Sequence, residues 1–318
     1  MPHSSPLKET SLPSFPNFVS LTSEHQAYIN EAIRPNFLYS DFNFISMWSW
    51  DHQNKLKLCQ LNNNLVIRFQ DYLDPEDYFY TFFGLHKIKE TAKRLLEHSI
   101  KEDKHALRLI PEFVAEKLKN DASFVVTEDR DNHDYIVAIR SMIDLEGSHN
   151  GKKRQYLRHF MQENEHQMSI TELDLIHEVD RKNIRKVVEK WGEHVISKNS
   201  FNENELKAID KILSNYNTIS TSNIHIVGIK VSDELKAFSI AEILSDEFAM
   251  WHYKKADRDI KGLGIALDYL SAKNLYEKGV KNLNHEQDLG VEGLRRAKLA
   301  ANPVYFLKKY TISLAPKK

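Results

Sequence analysis

Residues 225–279 have the sequence HIVGIKV SDEL KAFSIAEIL SDEF AMWHYKK ADRDIK GLGIALDYLSAKNLYEKG, and this stretch decides the fold. Apolar side chains recur at about every second position in 225–231, 236–244 and 249–255, which predicts three strands. The polar turns between them are short enough to make an antiparallel meander. The spacing then changes to that of an amphipathic helix, which is predicted to end at Gly279 because glycine commonly terminates helices.

The elements on either side of this stretch complete an α/β pattern. Apolar positions spaced by three and four residues predict helices in 169–195 and 201–213, before the meander. After the long helix come a predicted strand in 280–286, a short helix in 291–300 and a last strand in 304–314. The second half of the chain therefore predicts a sheet flanked by helices.

The first half of the chain can be laid on the same template. It predicts a meander of three short strands, a helix, a strand, a short helix, and then a strand or hairpin. In chain order these segments are 55–61, 65–70, 78–84, 86–100, 106–110, 111–120 and 123–139. Two halves with the same order of elements predict a duplication, and the polar, charged segment 152–169 is the expected seam between them.

The predicted fold class is therefore α/β (α+β), with two tandem domains that are each a mixed, mainly antiparallel sheet flanked by helices. A chain of 318 residues is long enough for two such domains. The predicted divisions are a flexible N-terminal arm over 1–15, a first domain over 16–160 and a second domain over 161–318. The first domain is expected to be non-catalytic, and the second is expected to hold the site.

The composition excludes several classes of protein. With 44 basic and 45 acidic residues the net charge is −1, so a polyanion such as tRNA must be met by a local patch. Cys59 is the single cysteine and lies in an alternating segment, so a buried thiol is expected, with neither a disulfide nor a thiolate metal cluster. The sequence has no secretory signal pattern and no run of about 18 apolar residues. We therefore expect a cytoplasmic protein without an integral membrane segment, for which peripheral membrane contact stays open.

The sharpest local feature is the pair Gly262 and Gly264, which separates the meander from the long helix. Backbone N–H groups at such a strand-to-helix junction can bind phosphate oxygens. The alternative is a turn that needs glycine for a positive φ angle or for close packing. The position matches the N-acetyltransferase-like fold, whose pyrophosphate-binding loop occupies this junction, whereas the first half has only Gly84 there. The site is therefore expected to lie in the second domain.

One position of this loop departs from the general acetyltransferase pattern. That pattern is Gln or Arg, two residues, Gly, one residue, and then Gly or Ala. Asp259 stands where Gln or Arg is expected, and Arg258 lies one position early. A carboxylate at this place repels pyrophosphate, which makes acyl-CoA the weaker candidate for a donor.

Charged side chains are also dense in 284–303, at a predicted strand end and on the helix that follows. They are Glu286, Asp288, Arg295, Arg296 and Lys298. Carboxylates at a strand end can accept a proton from an attacking amine or bind an ammonium group, and cations one turn on can bind phosphate or an oxyanion. Solvated surface is the alternative for each charge taken singly, but their concentration favours a site.

Stretches in both halves resemble the phosphatidylglycerol lysyltransferase C-terminal-like family of tandem acyltransferase-fold proteins. They are AFSIAEIL (237–244), KKADRDIKG (254–262), NHEQDLGVEGLRRAKLAANP (284–303), SDFNFISMWSWD (40–51) and KKRQYLRHF (152–160). The resemblance spans roughly 38–314. In members with assigned function, it implies transfer of an aminoacyl group from aminoacyl-tRNA to a lipid hydroxyl. Those enzymes also carry a multi-span membrane region, and none is predicted here.

The resemblance implies site residues position by position. Glu286 and Asp288 match the family's Asn-x-Glu-x-Asp segment, and its Gly-x-x-Gly-Leu-Arg stretch is matched by Gly290, Gly293, Leu294 and Arg295. Lys298 and Pro303 match its Lys-to-Pro stretch, and its Lys-Ala-Asp to Gly element is matched by Lys255, Ala256, Asp257 and Gly262. The chain departs from the family at Lys254, where an acid is common, at His285, where Arg is common, and at Ala300 and Ala301, where Ser and an aromatic are common. These departures bear on substrate choice.

The leading hypothesis is an acyltransferase or aminoacyltransferase with no permanently bound cofactor. An aminoacyl-tRNA or acyl-CoA donor is attacked directly by an amine or hydroxyl of a small-molecule, peptide or lipid acceptor. The predicted catalytic residues are Glu286, Asp288 and Lys298. The predicted donor-binding residues are Lys255, Asp257, Gly262, Gly264, Arg295 and Arg296. The alternative is a non-catalytic binding protein that uses the duplicated fold as a scaffold.

Smaller groups of residues carry weaker predictions. A basic cluster near the seam can bind a tRNA backbone or can be a solvated face; it consists of Lys152, Lys153, Arg154, Arg158 and His159. Glu242 interrupts an apolar strand and is either a buried base or an outward-facing side chain. Tyr305 and Tyr310 are candidate acids for a leaving group, with core packing as the alternative. The 15 histidines show no metal-ligand spacing, so no metal site is expected.

Overall fold

The structure is a computed structural model that describes residues 12–36, 38–74, 76–195 and 200–316, so most of the predicted arm 1–15 lies outside the described residues. The strands are β1 Val19–Ser20, β2 Lys57–Leu61, β3 Asn64–Gln70, β4 Tyr78–Phe83, β5 Leu107–Pro111, β6 Phe124–Glu128, β7 Asp134–Ala138, β8 Met168–Leu173, β9 Ile224–Val231, β10 Glu234–Ile243, β11 Phe248–Ala256, β12 Asn282–Asn284, β13 Tyr305–Leu307 and β14 Lys309–Leu314. The α-helices are α1 Gln26–Ile33, α2 Phe44–Trp50, α3 Ile88–Ser99, α4 Glu112–Ala115, α5 Ile139–Asp144, α6 Gly151–Glu163, α7 Glu178–Val195, α8 Ser200–Asn215, α9 Leu263–Glu277 and α10 Glu292–Leu299.

The chain divides into two compact units. The first comprises the described parts of Met1–Phe37, Asp41–Asp129 and Lys309–Lys318, and the second comprises those of Leu38–Ser40 and Arg130–Lys308. The first unit holds a seven-stranded sheet in the order β1-β2-β3-β4-β5-β14-β6. The second unit holds a seven-stranded sheet in the order β8-β9-β10-β11-β12-β7-β13.

The two sheets have the same topology. In each, the fourth and fifth strands of the order pair in parallel, β4 with β5 and β11 with β12. All other neighbours pair antiparallel. The predicted fold class, two tandem domains with mixed and mainly antiparallel sheets flanked by helices, is confirmed.

The observed units differ from the predicted division at residue 160. Residues 130–160 belong to the second unit, where β7 pairs with β12 and β13. The C-terminal strand β14 lies in the first sheet, between β5 and β6. Each sheet is therefore completed by a strand from the other half of the chain. Pairing between strands so distant in sequence leaves no local pattern, which is why the sequence predicts a strand or hairpin in 123–139 and a single strand in 304–314.

The predicted seam also proves to be structured. Residues 151–163 form α6. Residues 168–173 form β8 at the edge of the second sheet, so the predicted helix over 169–195 is wrong at its start and begins only at Glu178. Phe160 of α6 is buried against Leu263 and Ala266 of α9 and against the sheet residue Ile229. One apolar face is enough to hold a polar helix on a core, because the hydrophobic effect acts on that face alone.

In each unit, the helix that follows the meander covers the sheet. Ala92 and Leu95 of α3 pack on Val66 and Phe82 of the first sheet. In the second unit, Leu263, Ala266, Leu267 and Leu270 of α9 are buried with Ile229 and Ala237 of the strands. Cys59 is fully buried, as predicted, and burial raises the pKa of its thiol to about 12. In the described part of the chain, no helix combines the length and the apolar character needed to cross a lipid bilayer.

The meander-to-helix junction of the first unit is filled by a side chain. The Asn64 amide donates to His86 O at 2.6 Å and to Thr91 Oγ1 at 3.0 Å, and its oxygen accepts from His86 N at 3.0 Å. A Cβ atom on Gly84 would come within 2.3 Å of this oxygen. Asn64 therefore accepts the hydrogen bond from His86 N, a backbone donor that a bound phosphate would otherwise contact.

Candidate functional site

An imidazole on β11 of the second sheet lies next to two carboxylates, beside a β-bulge. Ile240 of β10 pairs with Tyr253 and Ala241 pairs with Trp251, so His252 is an extra residue on β11. Glu242 pairs with Met250, so alternation along β11 places His252 on the same face of the sheet as Glu242 and diagonally across from it. The two side chains meet there, with 3.2 Å between His252 Nε2 and Glu242 Oε2. Bulges of this kind are common beside active sites.

The other nitrogen of the ring faces Glu286, which follows β12. His252 Nδ1 lies 3.4 Å from Glu286 Oε1. The His252 side chain is only 1% exposed, whereas the Glu286 side chain is 19% exposed. Burial disfavours the charged ring, but the hydrogen bonds to Glu242 and Glu286 outweigh it and raise the pKa of His252 to about 9. The three side chains thus form a chain in which a protonated imidazole joins two carboxylates, and Glu286 is its more accessible end.

Strands β11 and β12 of the second sheet separate beside these three side chains. β11 and β12 pair over three residues that end at Met250 and Asn284, while β11 itself continues to Ala256. The Asn284 side chain accepts a hydrogen bond from Glu286 N at 2.6 Å, and Glu286 has a φ angle of +59°. A non-glycine residue in this conformation is strained, and such strain often marks a functional position. Glu286 is therefore held out from the end of β12 beside the opening.

Lys298 of α10 braces the segment that carries Glu286. Its Nζ donates to His285 O at 2.5 Å and to Gln287 O at 2.6 Å, the carbonyls on either side of Glu286. Burial lowers the pKa of Lys298 to about 8, although the negative charges of Glu286, Asp134 and Asp288 act in the opposite direction. The structure thus brings together two of the predicted catalytic residues, Glu286 and Lys298, through the backbone.

Asp288, the third predicted catalytic residue, is fully buried in a hydrogen-bond network. It accepts from Arg295 Nε at 3.0 Å, from Arg295 Nη2 at 2.8 Å, from Gly290 N at 2.8 Å, and from the Tyr135 hydroxyl. Burial would raise the pKa of Asp288, but the hydrogen bonds from Arg295 and Tyr135 lower it. This geometry suits a carboxylate that holds α10 against the loop after β12. It also engages the guanidinium group of Arg295, a predicted donor-binding residue, in hydrogen bonds to Asp288.

The Gly262–Gly264 turn lies at the N-terminus of α9, as predicted. Gly262 has a φ angle of +87°, and a Cβ atom there would come within 2.8 Å of Tyr156 O. A turn that requires glycine is therefore sufficient to explain Gly262, without a bound phosphate. Gly264 is different, because a Cβ atom there would have no neighbour within 4 Å. It borders a surface pocket of about 310 Å³ that Lys254 and Arg258 also line.

The remaining predicted donor-binding residues have partners within the second unit. Lys255 is buried, with Nζ 2.6 Å from Glu205 Oε1 and 4.1 Å from the centre of the Trp191 ring. Asp257 accepts from Lys190 Nζ at 2.6 Å. Arg296 is exposed and lies 3.8 Å from Glu292. Lys255 and Asp257 shape the pocket wall, whereas Arg296 lies apart from it.

Lys190 also offsets the negative charge of Asp259, the residue at which the loop departs from the acetyltransferase pattern. Its Nζ lies 3.2 Å from Asp259 Oδ2 as well as 2.6 Å from Asp257. An ammonium group between two carboxylates offsets much of the repulsion that Asp259 would exert on a phosphate. The departure of the loop from the acetyltransferase pattern is therefore partly compensated from α7.

The weaker predictions have separate outcomes. Glu242 is buried beside His252, as one of its two alternatives proposed. Tyr310 is buried in the first unit, where its hydroxyl donates to Glu112 at 3.2 Å, and Tyr305 is 40% exposed in the second. Within residues 12–36, 38–74, 76–195 and 200–316, no group of three or more His, Cys, Asp or Glu side chains is arranged to hold a metal ion.

Sequence reasoning missed His252, the centre of this arrangement. The available signal was Glu242, an acid in an otherwise apolar strand, with His252 in the next strand of the meander. The pairing of Glu242 with Met250 places His252 on the face of Glu242, but the sequence alone does not give the strand register on which that contact depends.

The sequence profile of one protein family, described as phosphatidylglycerol lysyltransferase, C-terminal, matches residues 37–313. The chain belongs to this family. The match covers both units, so the predicted family is confirmed. Membership in the phosphatidylglycerol lysyltransferase C-terminal family supports an acyltransferase-like or aminoacyltransferase-like function in general. A search of curated proteins found no match.

Solved structures share the fold over nearly the whole chain. A conserved protein of unknown function from Bacteroides thetaiotaomicron is 23% identical, with a TM-score of 0.79 over 93% of this chain and 99% of that chain. The C-terminal domain of a putative lysylphosphatidylglycerol synthetase from Agrobacterium fabrum is 12% identical, with a TM-score of 0.57 over 92% and 93%. L-PGS from Bacillus licheniformis is 13% identical, with a TM-score of 0.59 over 98% and 95%. At these identities the likeness shows the fold alone.

Proposed function

We propose that this protein transfers an acyl or aminoacyl group from an activated donor, an aminoacyl-tRNA or an acyl-CoA, to an amine or hydroxyl acceptor at a site in the second unit. The observation that carries the proposal is the chain Glu242–His252–Glu286 at the opening between β11 and β12. Membership in the phosphatidylglycerol lysyltransferase C-terminal family supports the reaction class. The proposed acceptor is a small molecule, a peptide or a lipid.

Glu286 is the proposed proton acceptor. The acceptor's nitrogen or oxygen attacks the carbonyl carbon of the donor, a new amide or ester bond forms, and the bond to the donor's oxygen or sulfur breaks. The proton lost by the nucleophile passes to Glu286 and then to the leaving group, so that the enzyme returns to its initial state. A general base of this kind contributes about 100-fold to 10,000-fold in rate.

His252 and Lys298 position Glu286 in this scheme. The His252 ring holds the carboxylate from one side at 3.4 Å, while Lys298 fixes the two carbonyls that flank it. Glu242 supports the ring in turn, at 3.2 Å. A base that is held in place needs little reorganisation when the acceptor binds, which favours reaction. Asp288 and Arg295 are proposed to stabilise the loop rather than to react.

The donor is proposed to lie with its phosphates near the N-terminus of α9. The helix dipole, the open position at Gly264 and the cation Arg258 favour a negatively charged group. The pocket is also lined by Asp257 and Asp268, whose charges are paired with Lys190 and Lys254. Both candidate donors carry phosphates. Thermal melting discriminates between them, because a ligand that binds the native state raises the melting temperature. Stabilisation by CoA supports acyl-CoA, whereas stabilisation by aminoacyl-tRNA without an effect of CoA supports the aminoacyl branch.

The direct test compares Glu286→Gln with Glu292→Gln in a transfer assay. Radiolabelled aminoacyl-tRNAs and acyl-CoAs are supplied with a mixture of amine, hydroxyl and lipid acceptors, and labelled products are quantified. Glu286→Gln is expected to lower kcat/KM by about 100-fold or more. Glu292→Gln removes the same charge from an exposed site and is expected to stay within about twofold of wild type. Equal activity of the two variants would remove Glu286 from the mechanism, and donor binding without turnover in wild type would favour the scaffold hypothesis.

A further inference from the structure

Next to the proposed proton acceptor, two ring nitrogens are buried without a hydrogen-bond partner among the described residues. They are Nε1 of Trp251 and Nε2 of His285. Trp251 is only 5% exposed, and its ring centre lies 5.2 Å from that of His285 in an edge-to-face arrangement. The great majority of buried polar groups in a protein have a hydrogen-bond partner, so each nitrogen without one calls for an explanation.

The segments that carry Trp251 and His285 also carry His252 and Glu286, the residues of the proposed reaction site. Trp251 precedes His252 on β11, and His285 precedes Glu286 after β12. The contact between Trp251 and His285 is therefore displaced by one residue, on both segments, from the contact between His252 and Glu286. Neighbouring residues of a strand face opposite sides of the sheet, so the Trp251–His285 pair lies on the face that packs against α9, and the His252–Glu286 contact lies on the other face.

Three ammonium groups surround this pair of rings. Lys254 Nζ lies 4.4 Å from the centre of the Trp251 ring, and the positive charges of Lys254, Lys298 and Lys153 all act on His285. Burial and these three charges lower the pKa of His285 well below its ordinary value, so the ring is neutral. A neutral imidazole can donate a hydrogen bond from Nε2 when its proton is on that atom.

Two of the three lysines form no ion pair among the described residues. Lys153 Nζ donates to Ala300 O at 2.5 Å, and Lys298 Nζ donates to His285 O and Gln287 O. An ammonium group has three donors, so these contacts leave two on Lys153 and one on Lys298. Lys254 is different, because it pairs with Asp268 at 2.6 Å. The carboxylates of Glu286, Asp134 and Asp288 act on Lys298 from a distance, as Asp268 does on Lys153, but the direct contacts of both ammonium groups are carbonyl oxygens. An anion that completed their coordination would offset the cost of their partial burial.

We propose that Trp251, His285, Lys153 and Lys298 form an oxyanion-binding subsite that takes a phosphate or carboxylate group. The indole N–H and the unused ammonium donors supply hydrogen bonds, and Lys254 contributes positive charge at the rim. The assignment of the anion to a transfer substrate rests on the proposed function, because it depends on Glu286, the residue after His285, being the proton acceptor. The binding itself does not depend on that function.

The experiment follows the indole N–H of Trp251 by nuclear magnetic resonance of 15N-labelled protein. The chain has four tryptophans, and Trp251→Phe identifies the relevant cross-peak by its disappearance. Methyl phosphate and, separately, acetate are titrated at constant ionic strength, without any donor. We expect a saturable shift of the Trp251 signal with at least one probe. Tighter binding of methyl phosphate identifies a phosphate subsite, and tighter binding of acetate identifies a carboxylate subsite.

Neighbouring lysines on α6 provide a matched control. Lys153→Met removes a proposed ligand, whereas Lys152→Met removes the same charge from an exposed position one residue away. Lys153→Met is expected to weaken binding by about 10-fold, as for loss of a charge-assisted hydrogen bond, and Lys152→Met by less than about twofold. If Lys153→Met is poorly folded, Lys153→Gln takes its place. That variant removes the charge but keeps a hydrogen-bond donor, and it is also expected to weaken binding. A Trp251 signal that neither probe shifts, or equal effects at Lys152 and Lys153, would overturn the proposal even if transfer activity is found.

Discussion

Replacing Asp288 by asparagine separates a structural role from a chemical one. The carboxylate is fully buried and accepts two hydrogen bonds from Arg295, at 2.8 and 3.0 Å, and one from Gly290 N at 2.8 Å. Asparagine keeps the size of the side chain but turns one acceptor into a donor that faces the guanidinium group. Breaking a buried ion pair in this way costs about 3–5 kcal/mol. Because the Arg295 side chain is 32% exposed, water can solvate it, and we expect a loss of about 2–3 kcal/mol.

The assay is urea denaturation followed by circular dichroism, with the free energy of unfolding compared between variants. Asp131→Asn is the matched control, because Asp131 contacts the same guanidinium at 2.5 Å but is 56% exposed. It is expected to cost no more than about 1 kcal/mol. Equal losses for the two variants would refute the burial argument. A stable Asp288→Asn protein without transfer activity would instead restore the chemical role that the sequence predicts.

Three further predictions concern other parts of the same chain. The pKa of His252 is raised from 6.5 to about 9 in the folded protein. The protonated ring therefore stabilises the fold fully below about pH 6.5, and this contribution is lost as the pH rises through 9. In urea titrations, wild type is expected to be more stable than His252→Gln at pH 6 and to lose that advantage by pH 10. Gly264→Ala is expected to raise stability by about 1 kcal/mol, while Gly262→Ala, at a positive φ angle and against α6, is expected to lower it; thermal melting of both variants checks the contrast. Lys309→Met leaves the buried Asp41 carboxylate of the first unit without its ion pair and is expected to cost about 3–5 kcal/mol, measured by urea denaturation; a loss below about 1 kcal/mol would contradict it.

Local patterns in the sequence determine much of the fold by themselves. The meander in 225–255 and the helix after it follow from hydrophobic spacing, because alternation and the helical period depend only on neighbouring residues. The structure places β9, β10, β11 and α9 there. The motif around Glu286 carries the family resemblance, and the profile match over 37–313 confirms the family. These features are written in short stretches of sequence.

Tertiary structure decided how the units are completed. Strands β7 and β14 each join the sheet built mainly from the other half of the chain, and hydrogen bonds between distant strands leave no periodic signal. The order found in the seam segment has a related cause, since the helix α6 is held by the burial of one face around Phe160. Neither fact can be derived from local hydrophobicity, because both depend on which surfaces are available to pack.

The candidate site shows the same division between sequence and structure. The sequence alone indicated Glu286, Lys298 and the glycine turn, because charge density and glycine spacing are local properties. Only the structure placed His252 between Glu242 and Glu286 and buried Asp288 under Arg295. The register of β10 and β11 sets which side chains share a face of the sheet, and the cost of burying charge then decides which of them are paired. Those two effects depend on strand register and burial, which the order of residues specifies only through the complete fold.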